Sequence, residues 1–241
     1  MTMKYLYCLI TGFVLFLITS CDHVENPYPQ LVTTDLDTTL YPGMWSDYVS
    51  NEWPVFSQNT NTNRNVLIED FTGHKCVFCP AAADLAHQLH EANPSRVYIA
   101  SIHAGPTGMG DFQTITLPDY PTDFTNPQGL EIGTYFGTND GGFIGNPRGS
   151  INRFDNGYIF QSPAQWSSMT NDQITQNDLK VNIQSDLNYF PSTKGAFLHV
   201  EIEKLDQNLN NGLVIVAYLI EDSLVGDQKM SDNSHNSSYI H

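Results

Sequence analysis

The fold is decided by residues 66–80, which read VLIEDFTGHKCVFCP. The short apolar run Val66–Phe71 predicts a buried strand, because turn-forming residues follow it directly. A turn over Thr72–Lys75 leads into the motif Cys76-Val77-Phe78-Cys79. Pro80 predicts that a helix starts at this point, since the missing N–H of proline costs nothing in the first helical turn.

The residues after Pro80 extend this unit. Alanine and leucine residues over 81–89 supply helix propensity and an apolar face, and Asn93-Pro94 ends the helix. Val97–Ile102 predicts a second strand. The order strand, Cys-X-X-Cys turn, helix, strand implies a parallel pair of strands joined by a right-handed crossover.

The middle of the chain alternates loops with short elements. Gly105–Phe124 is rich in glycine and proline and predicts a loop, and Leu130–Phe136 predicts a short helix. The residues on either side of Asp155-Asn156-Gly157 predict a hairpin, because this turn sequence lies between two apolar runs. Ser162-Pro163 predicts another helix, with the serine as its N-cap.

After Asn177 the apolar pattern has a period of two residues. Alternation over Leu179–Ile183 and Phe197–Leu205, and the apolar run Leu213–Ile220, predict three strands that form a piece of a β-sandwich. The remaining residues, Ser231–His241, are polar and predict no element.

Composition excludes several classes of protein. The 241-residue chain has 10 Lys and Arg against 26 Asp and Glu, a net charge of −16, which excludes a general nucleic-acid binder. With 40% hydrophobic and 12% aromatic residues, most of the chain is expected to fold. Four cysteines are too few for a disulfide scaffold of this length.

The N-terminus predicts export. The apolar run Tyr5–Ile18 is too short to span a bilayer comfortably and is typical of a secretory signal. It ends in Leu17-Ile18-Thr19-Ser20-Cys21, which resembles the lipobox of bacterial lipoproteins and implies a lipid on Cys21 and a membrane anchor. An ordinary signal peptide or a short anchor helix is the alternative, and in each case the protein leaves the cytoplasm. The polar stretch Asp22–Asn65 predicts a tether whose aromatic residues, Trp45 among them, pack on the next domain.

Cys76 and Cys79 are the candidates for chemistry. Outside the cytoplasm, a Cys-X-X-Cys motif between a strand and a helix indicates thiol–disulfide exchange. Cys76 precedes the helix, whose positive dipole end favours a thiolate, Cys79 is placed one turn inside, and Lys75 adds a positive charge. Zinc is disfavoured because His87, on a continuous helix, would lie roughly 12 Å from Cys79. No metal or cofactor is expected.

The segment Val66–Pro80 resembles the active-site segment of thioredoxin-like proteins. The resemblance implies that Asp70, six positions before Cys76, assists proton transfer to and from Cys79. A strand-edge Asp70 that faces solvent is the alternative. The resemblance also implies that Pro147 is a cis-proline facing the dithiol, with Arg148 and Lys75 flanking the site.

A wider pattern resembles the 28 kDa outer membrane protein family of Bacteroidetes lipoproteins. It comprises residues 65–80, Asn146-Pro147, Ile151-Asn152-Arg153 and Leu219-Ile220-Glu221-Asp222, and extends over roughly Asn65–His241. The resemblance implies an outer-membrane or cell-surface location, with a periplasm-facing placement as a variant. Members continue beyond the point that corresponds to His241, so a truncated copy with an exposed sheet edge is expected.

The predicted fold is an α/β thioredoxin-like domain followed by a partial all-β, immunoglobulin-like sandwich region. The predicted divisions are a signal peptide over 1–20, a lipid-anchored tether over 21–64, the thioredoxin-like domain over 65–177 and the β-region over 178–241. Two functions stay open. One is a thiol–disulfide oxidoreductase in which Cys76 attacks protein disulfides, Cys79 resolves the product and Pro147 docks the substrate strand. The other is a non-catalytic surface or adhesion protein with a fixed Cys76–Cys79 disulfide.

Overall fold

The structure is a computed structural model that describes residues 36–139, 141–209 and 213–241. The predicted signal peptide and Cys21 lie outside these residues. The described chain divides into two compact units. The first comprises residues 36–53 and Leu187–Phe197, and the second comprises Pro54–Asp186 and Leu198–His241.

The second unit contains a four-stranded mixed sheet and three helices. The strands have the order β2-β1-β3-β4, with β1 and β2 parallel and the other pairs antiparallel. The predicted strands around the Cys-X-X-Cys turn and the three predicted helices are confirmed. Along the chain the elements are β1 (Val66–Thr72), α1 (Cys79–Ala92), β2 (Val97–His103), α2 (Pro127–Thr138), β3 (Arg148–Ile151), β4 (Phe160–Gln161) and α3 (Pro163–Gln176).

Strand β1 lies at the centre of the core and is covered on both faces. Val66 and Ile68 pack in one apolar cluster with residues of α1 and α3, including Trp166. Phe71 packs in a second cluster, against Phe160 of β4 and other aromatic and aliphatic residues. Since side chains alternate along a strand, Asp70 shares the face of Val66 and Ile68, and Glu69 shares the face of Phe71.

The predicted hairpin is formed by β3 and β4, but its connection is longer than the Asp-Asn-Gly turn implied. Asn152 and Arg153 adopt left-handed backbone conformations with φ of 54° and 48°. In this position Asn152 Oδ1 accepts a hydrogen bond from Leu67 N at 2.8 Å, which fastens the loop to β1. The side chain of Arg153 is directed to Glu69.

The carboxylate of Glu69 is buried and fully engaged. Arg153 donates to it from Nε at 2.8 Å and from Nη2 at 2.6 Å, and the hydroxyls of Ser150 and Tyr218 each donate at 2.6 Å. Burial favours the neutral acid, but the Arg153 guanidinium and the two hydroxyls outweigh it and lower the pKa of Glu69. This ion pair therefore joins β1 to the β3–β4 loop.

The first unit is built on aromatic packing. Its helical turns are Thr38–Leu40, Trp45–Asp47 and Tyr48–Glu52. Trp45 stacks on the buried ring of Tyr48 with centroids 4.6 Å apart, and both rings contact Phe197. The part of the predicted tether that is described thus contains ordered structure, and these Trp45 contacts lie within the first unit.

The described residues after Asn177 form four strands in two separate two-stranded antiparallel sheets. They are β5 (Val181–Phe190) with β6 (Gly195–Lys204), and β7 (Val225–Lys229) with β8 (His235–Ile240). The prediction of a third strand over Leu213–Ile220 is wrong. This segment is held by its Tyr218 hydroxyl, which bonds Glu69 and Arg153, and its backbone joins no sheet.

The prediction that the polar residues Ser231–His241 form no element is also wrong, because most of them form the second strand of the β7–β8 hairpin. His235 Nε2 lies 2.5 Å from Asp227 Oδ1 across this hairpin. Local polar pairing thus stabilises strands that have little apolar character. Within the described ranges, every helix is too short or too polar to cross a membrane.

The Glu69–Arg153 pair predicts a large stability effect. Arg153→Leu should lower the free energy of unfolding by about 3–5 kcal/mol, because it leaves a buried carboxylate without its cation. The measurement is urea denaturation at pH 7 with the disulfide intact.

Lys180→Leu is the matched control, because Lys180 forms an exposed pair with Asp178 at 3.3 Å. That control should lose about 1 kcal/mol or less. Equal losses in the two variants would show that Glu69 does not depend on Arg153.

Candidate functional site

Cys76 and Cys79 form a disulfide at the point where β1 gives way to α1. Their sulfurs are 2.16 Å apart and their Cα atoms 5.4 Å apart. The backbone turns twice, through Cys76 N to Gly73 O at 2.9 Å and Cys79 N to Cys76 O at 3.2 Å. Cys79 is the first residue of α1, so the expectation that it lies one turn inside the helix is wrong. The second turn explains this, because it occupies the residues that would have formed the first helical turn.

Both cysteines are covered, with 1% of each residue exposed. Phe78, between them, is 67% exposed. The two cysteines are therefore shielded from solvent, although the turn that carries them reaches the surface at Phe78. Such burial favours a protected disulfide over one that is open to solvent.

The loop that follows β2 is bonded to the residues next to the disulfide. Phe112 O accepts a hydrogen bond from Lys75 N at 3.1 Å. The buried Gln113 side chain donates to Thr72 O at 2.7 Å. The predicted Gly105–Phe124 loop therefore has a defined position against the Cys-X-X-Cys turn.

The β7–β8 hairpin also bonds to the Cys-X-X-Cys turn. Lys229 N donates to His74 O at 2.8 Å, and Gln228 Nε2 donates to Cys76 O at 3.1 Å. Gln228 is 1% exposed, so its amide is buried against the turn. Sequence reasoning missed this element, because β7 and β8 lack the apolar alternation that signals a strand.

Asp70 is fully buried on β1, and neither carboxyl oxygen has a hydrogen-bond partner among the described residues. The alternative of a solvent-facing Asp70 is wrong. Burial raises the pKa of Asp70 to about 7, since a charged carboxylate is disfavoured in an apolar environment. A carboxyl with this pKa can take up or release a proton near neutral pH.

The electrostatic surroundings of Asp70 include the C-terminal hairpin. Burial, together with the negative charges of Asp84 and Asp70, raises the pKa of Tyr239 on β8 to about 12. The phenol therefore stays protonated at neutral pH.

Pro147 and Arg148 line an open groove of about 470 Å³ beside the start of α1. The Asn146–Pro147 peptide bond is cis. Phe78 and Ile144 supply exposed apolar surface to the same groove. Asn146 Nδ2 fixes the segment by donating to Phe71 O at 2.8 Å and to Ala104 O at 2.9 Å. The groove can accept an extended segment with an apolar side chain.

The two predicted flanking cations have different surroundings. Arg148 lines the groove, whereas Lys75 Nζ donates to Thr116 Oγ1 at 2.9 Å in the long loop. The structure thus brings Phe78, Pro147 and Arg148 together, and it directs Lys75 elsewhere.

A buried histidine that sequence reasoning missed lies next to the turn. His103, at the end of β2, pairs in register with Thr72, and its ring nitrogens have no hydrogen-bond partner among the described residues. Burial, with the positive charges of His241 and His74, lowers the pKa of His103 to about 3. The signal available in the sequence was its position, because parallel strands end at the same edge of a sheet.

Asp70 predicts a loss of stability as the pH rises. Its pKa is raised from 3.8 to about 7, so stability is fully present below pH 3.8 and declines until about pH 7. Asp70→Asn should therefore be more stable than the parent at pH 8, by about 2–4 kcal/mol, and equal to it at about pH 3.5. Asp172→Asn, on the exposed surface of α3, is the control, and urea denaturation at both pH values is the measurement. A parent–variant difference that does not change with pH would contradict a buried, titrating Asp70.

His103 predicts the opposite dependence. Its pKa is lowered from 6.5 to about 3, so stability is present above pH 6.5 and is lost as the pH falls toward 3. Between pH 7 and pH 5 the parent should lose about 2 kcal/mol more than His103→Gln does. His87→Gln, at an exposed position of α1, should behave like the parent. Parallel pH profiles for the parent and His103→Gln would overturn this assignment.

Comparison of the chain with known proteins finds no relative. No protein-family model, no curated protein and no solved structure matches the chain. The resemblance to thioredoxin-like lipoproteins consequently depends on the quoted residues, and function has to be argued from the geometry of the disulfide, Asp70 and the groove.

Proposed function

We propose that this chain is an exported, lipid-anchored protein whose thioredoxin-like domain exchanges disulfides with other proteins through Cys76 and Cys79. The observation that carries the proposal is the pairing of two features on one strand–turn–helix unit. A disulfide closes the turn, and a carboxyl with a pKa of about 7 and no hydrogen-bond partner among the described residues lies on the strand before it. A buried carboxyl without a partner costs stability, which favours a functional reason for its presence.

In the proposed reaction the reduced protein acts as the electron donor. The Cys76 thiolate attacks a sulfur of a substrate disulfide, and the other substrate sulfur leaves as a thiolate. Cys79 then attacks Cys76 Sγ in the mixed disulfide, which releases the second substrate sulfur and closes the Cys76–Cys79 bond. Two electrons pass to the substrate, and Asp70 accepts the proton that Cys79 gives up.

The other predicted residues take supporting roles in this proposal. The positive dipole end of α1, with Arg148, favours the Cys76 thiolate, whereas Lys75 takes no part because its Nζ is bonded to Thr116. The groove at Pro147 holds an extended segment of the substrate beside the turn, and exposed Phe78 supplies apolar contact area. Protein thiols and disulfides are the proposed partners, and the lipid on Cys21 attaches the chain to the outer membrane or cell surface. Membership of the 28 kDa outer membrane protein family is part of the same proposal.

The second candidate is a non-catalytic surface or adhesion protein. The observation that favours it is the 1% exposure of both cysteines, since a fixed disulfide needs no access to solvent. The reduction potential separates the two candidates. A structural disulfide lies below about −300 mV, whereas the oxidoreductases range from about −270 to −120 mV.

The oxidoreductase proposal predicts a potential in the higher range and a trapped intermediate. Cys79→Ser should form a stable mixed disulfide through Cys76 when it is incubated with oxidised glutathione, because the resolving thiol is missing. Intact-mass spectrometry detects the adduct, and equilibration with dithiothreitol buffers gives the potential of the parent.

Cys76→Ser is the matched control and should form the adduct more slowly, since its remaining thiol is not the proposed nucleophile. A potential below about −300 mV, together with no adduct on Cys79→Ser, would leave the static disulfide as the explanation.

A further inference from the structure

We propose that the β7–β8 hairpin is a cap on the Cys76–Cys79 disulfide, and that it must move away before an external thiolate can reach Cys76. This inference rests on the proposed function for its purpose, because a static disulfide needs no cap that opens. The cap would control how an external thiol reaches the sulfur of Cys76. Asp70, Pro147 and Arg148 have other roles in the proposed function.

The contacts of the hairpin support this. The carbonyls of His74 and Cys76, one on each side of Lys75, accept hydrogen bonds from the backbone of Lys229 and the side chain of Gln228. Gln228 Nε2 also donates to Lys229 O at 2.8 Å, so its amide is fixed within the hairpin as well. The hairpin is thus fastened to the turn that carries the nucleophile.

The attachment of the hairpin is suited to opening. Its two strands pair with each other and are separate from the four-stranded sheet. In the described part of the chain, neither apolar core cluster includes a residue of β7 or β8. The residues that precede it, 213–224, form no helix or strand. The hairpin can therefore leave the turn without disrupting either apolar cluster, and opening separates the His241 ring from Phe124 and His103. Local opening of such an element is easier than global unfolding.

A close contact limits the position of the closed hairpin. A Cβ placed on Gly226 would clash with Cζ of Phe124 in the long loop. Phe124 also packs on His103, with ring centroids 5.0 Å apart. A larger residue at position 226 would force the hairpin and the Phe124 ring apart.

The step that the cap controls is reduction of the disulfide by an external dithiol. With dithiothreitol, one thiolate attacks Cys76 Sγ, the Cys76–Cys79 bond breaks and Cys79 leaves as a thiolate that takes up a proton. The second thiol of the reductant then displaces Cys76 and closes the cyclic disulfide of the reductant. Two electrons enter the protein, and both cysteines become thiols.

The test measures the rate of this reduction in the full chain by quenching and alkylation. Gln228→Ala removes the bond to Cys76 O, and Gly226→Ala adds the clash with Phe124. Gln228→Ala should raise the rate about fivefold to tenfold, which corresponds to the loss of one hydrogen bond from the closed state, and Gly226→Ala should also raise it. Ser237→Ala, at an exposed position of β8, is the control and should leave the rate unchanged.

Hydrogen exchange gives a second readout, and its comparison of two amides within the unaltered protein needs no variant to fold. The amide of Lys229 should exchange faster than the amide of Ile68 in β1, and Gln228→Ala should accelerate exchange at Lys229 by the same factor as reduction. Unchanged reduction rates in both variants, or equal exchange at Lys229 and Ile68, would contradict the proposal that the hairpin is a cap.

These results are distinguishable from failure of the proposed function. Faster reduction in the cap variants with a potential below about −300 mV would keep the cap and reject the oxidoreductase. Unchanged reduction rates in these variants, with a potential in the oxidoreductase range, would reject the cap and support the oxidoreductase.

Discussion

Strand β1 is buried on both faces while it carries two adjacent carboxyl groups, and the packing around it has to accommodate both of them. An ionised carboxylate is costly in a protein interior unless charge and hydrogen bonds compensate it. Glu69 receives that compensation from Arg153, Ser150 and Tyr218. Asp70, on the opposite face, receives none from the described residues, and burial shifts it toward the neutral form. One strand thus has a fixed charge on one side and a proton that can be exchanged on the other.

These two carboxyls connect the fold to the site. Glu69 fixes the β3–β4 loop through Arg153 and holds the extended segment 213–224 through Tyr218. That segment leads directly into β7, whose Gln228 bonds Cys76 O. Asp70 lies on the strand that enters the Cys-X-X-Cys turn. The two carboxyl groups of β1 are therefore both connected to the disulfide, Asp70 through its own strand and Glu69 through the segment that leads to β7.

Sequence predicted the parts of this fold that local pattern controls. The run Val66–Phe71, the proline after Cys79 and the Asn93-Pro94 stop indicated the strand–turn–helix–strand order, because apolar runs and proline constraints act over a few residues. The thioredoxin-like assignment and the immunoglobulin-like region remain predictions, since the structure supports only the coarser mixed α/β description with separate antiparallel sheets.

The parts that could not be predicted depend on contacts between distant residues. Leu213–Ile220 has the composition of a strand, yet its partner is the buried Glu69 carboxylate, 149 residues from Tyr218. The polar residues of β7 and β8 form a hairpin that covers His74 and Cys76. The burial of Asp70 likewise depends on which face of β1 meets α1. Periodicity cannot report such contacts, because it describes only the neighbours of a residue along its own element.

The most direct test of the account is the titration of the Asp70 carboxyl carbon by ¹³C NMR in the oxidised protein. We expect a midpoint near pH 7, well above that of Glu69, whose pKa is lowered from 4.5 by its partners. A midpoint near the ordinary value of 3.8 would show that Asp70 is solvated or paired, and would contradict a buried Asp70 carboxyl that exchanges its proton near neutral pH.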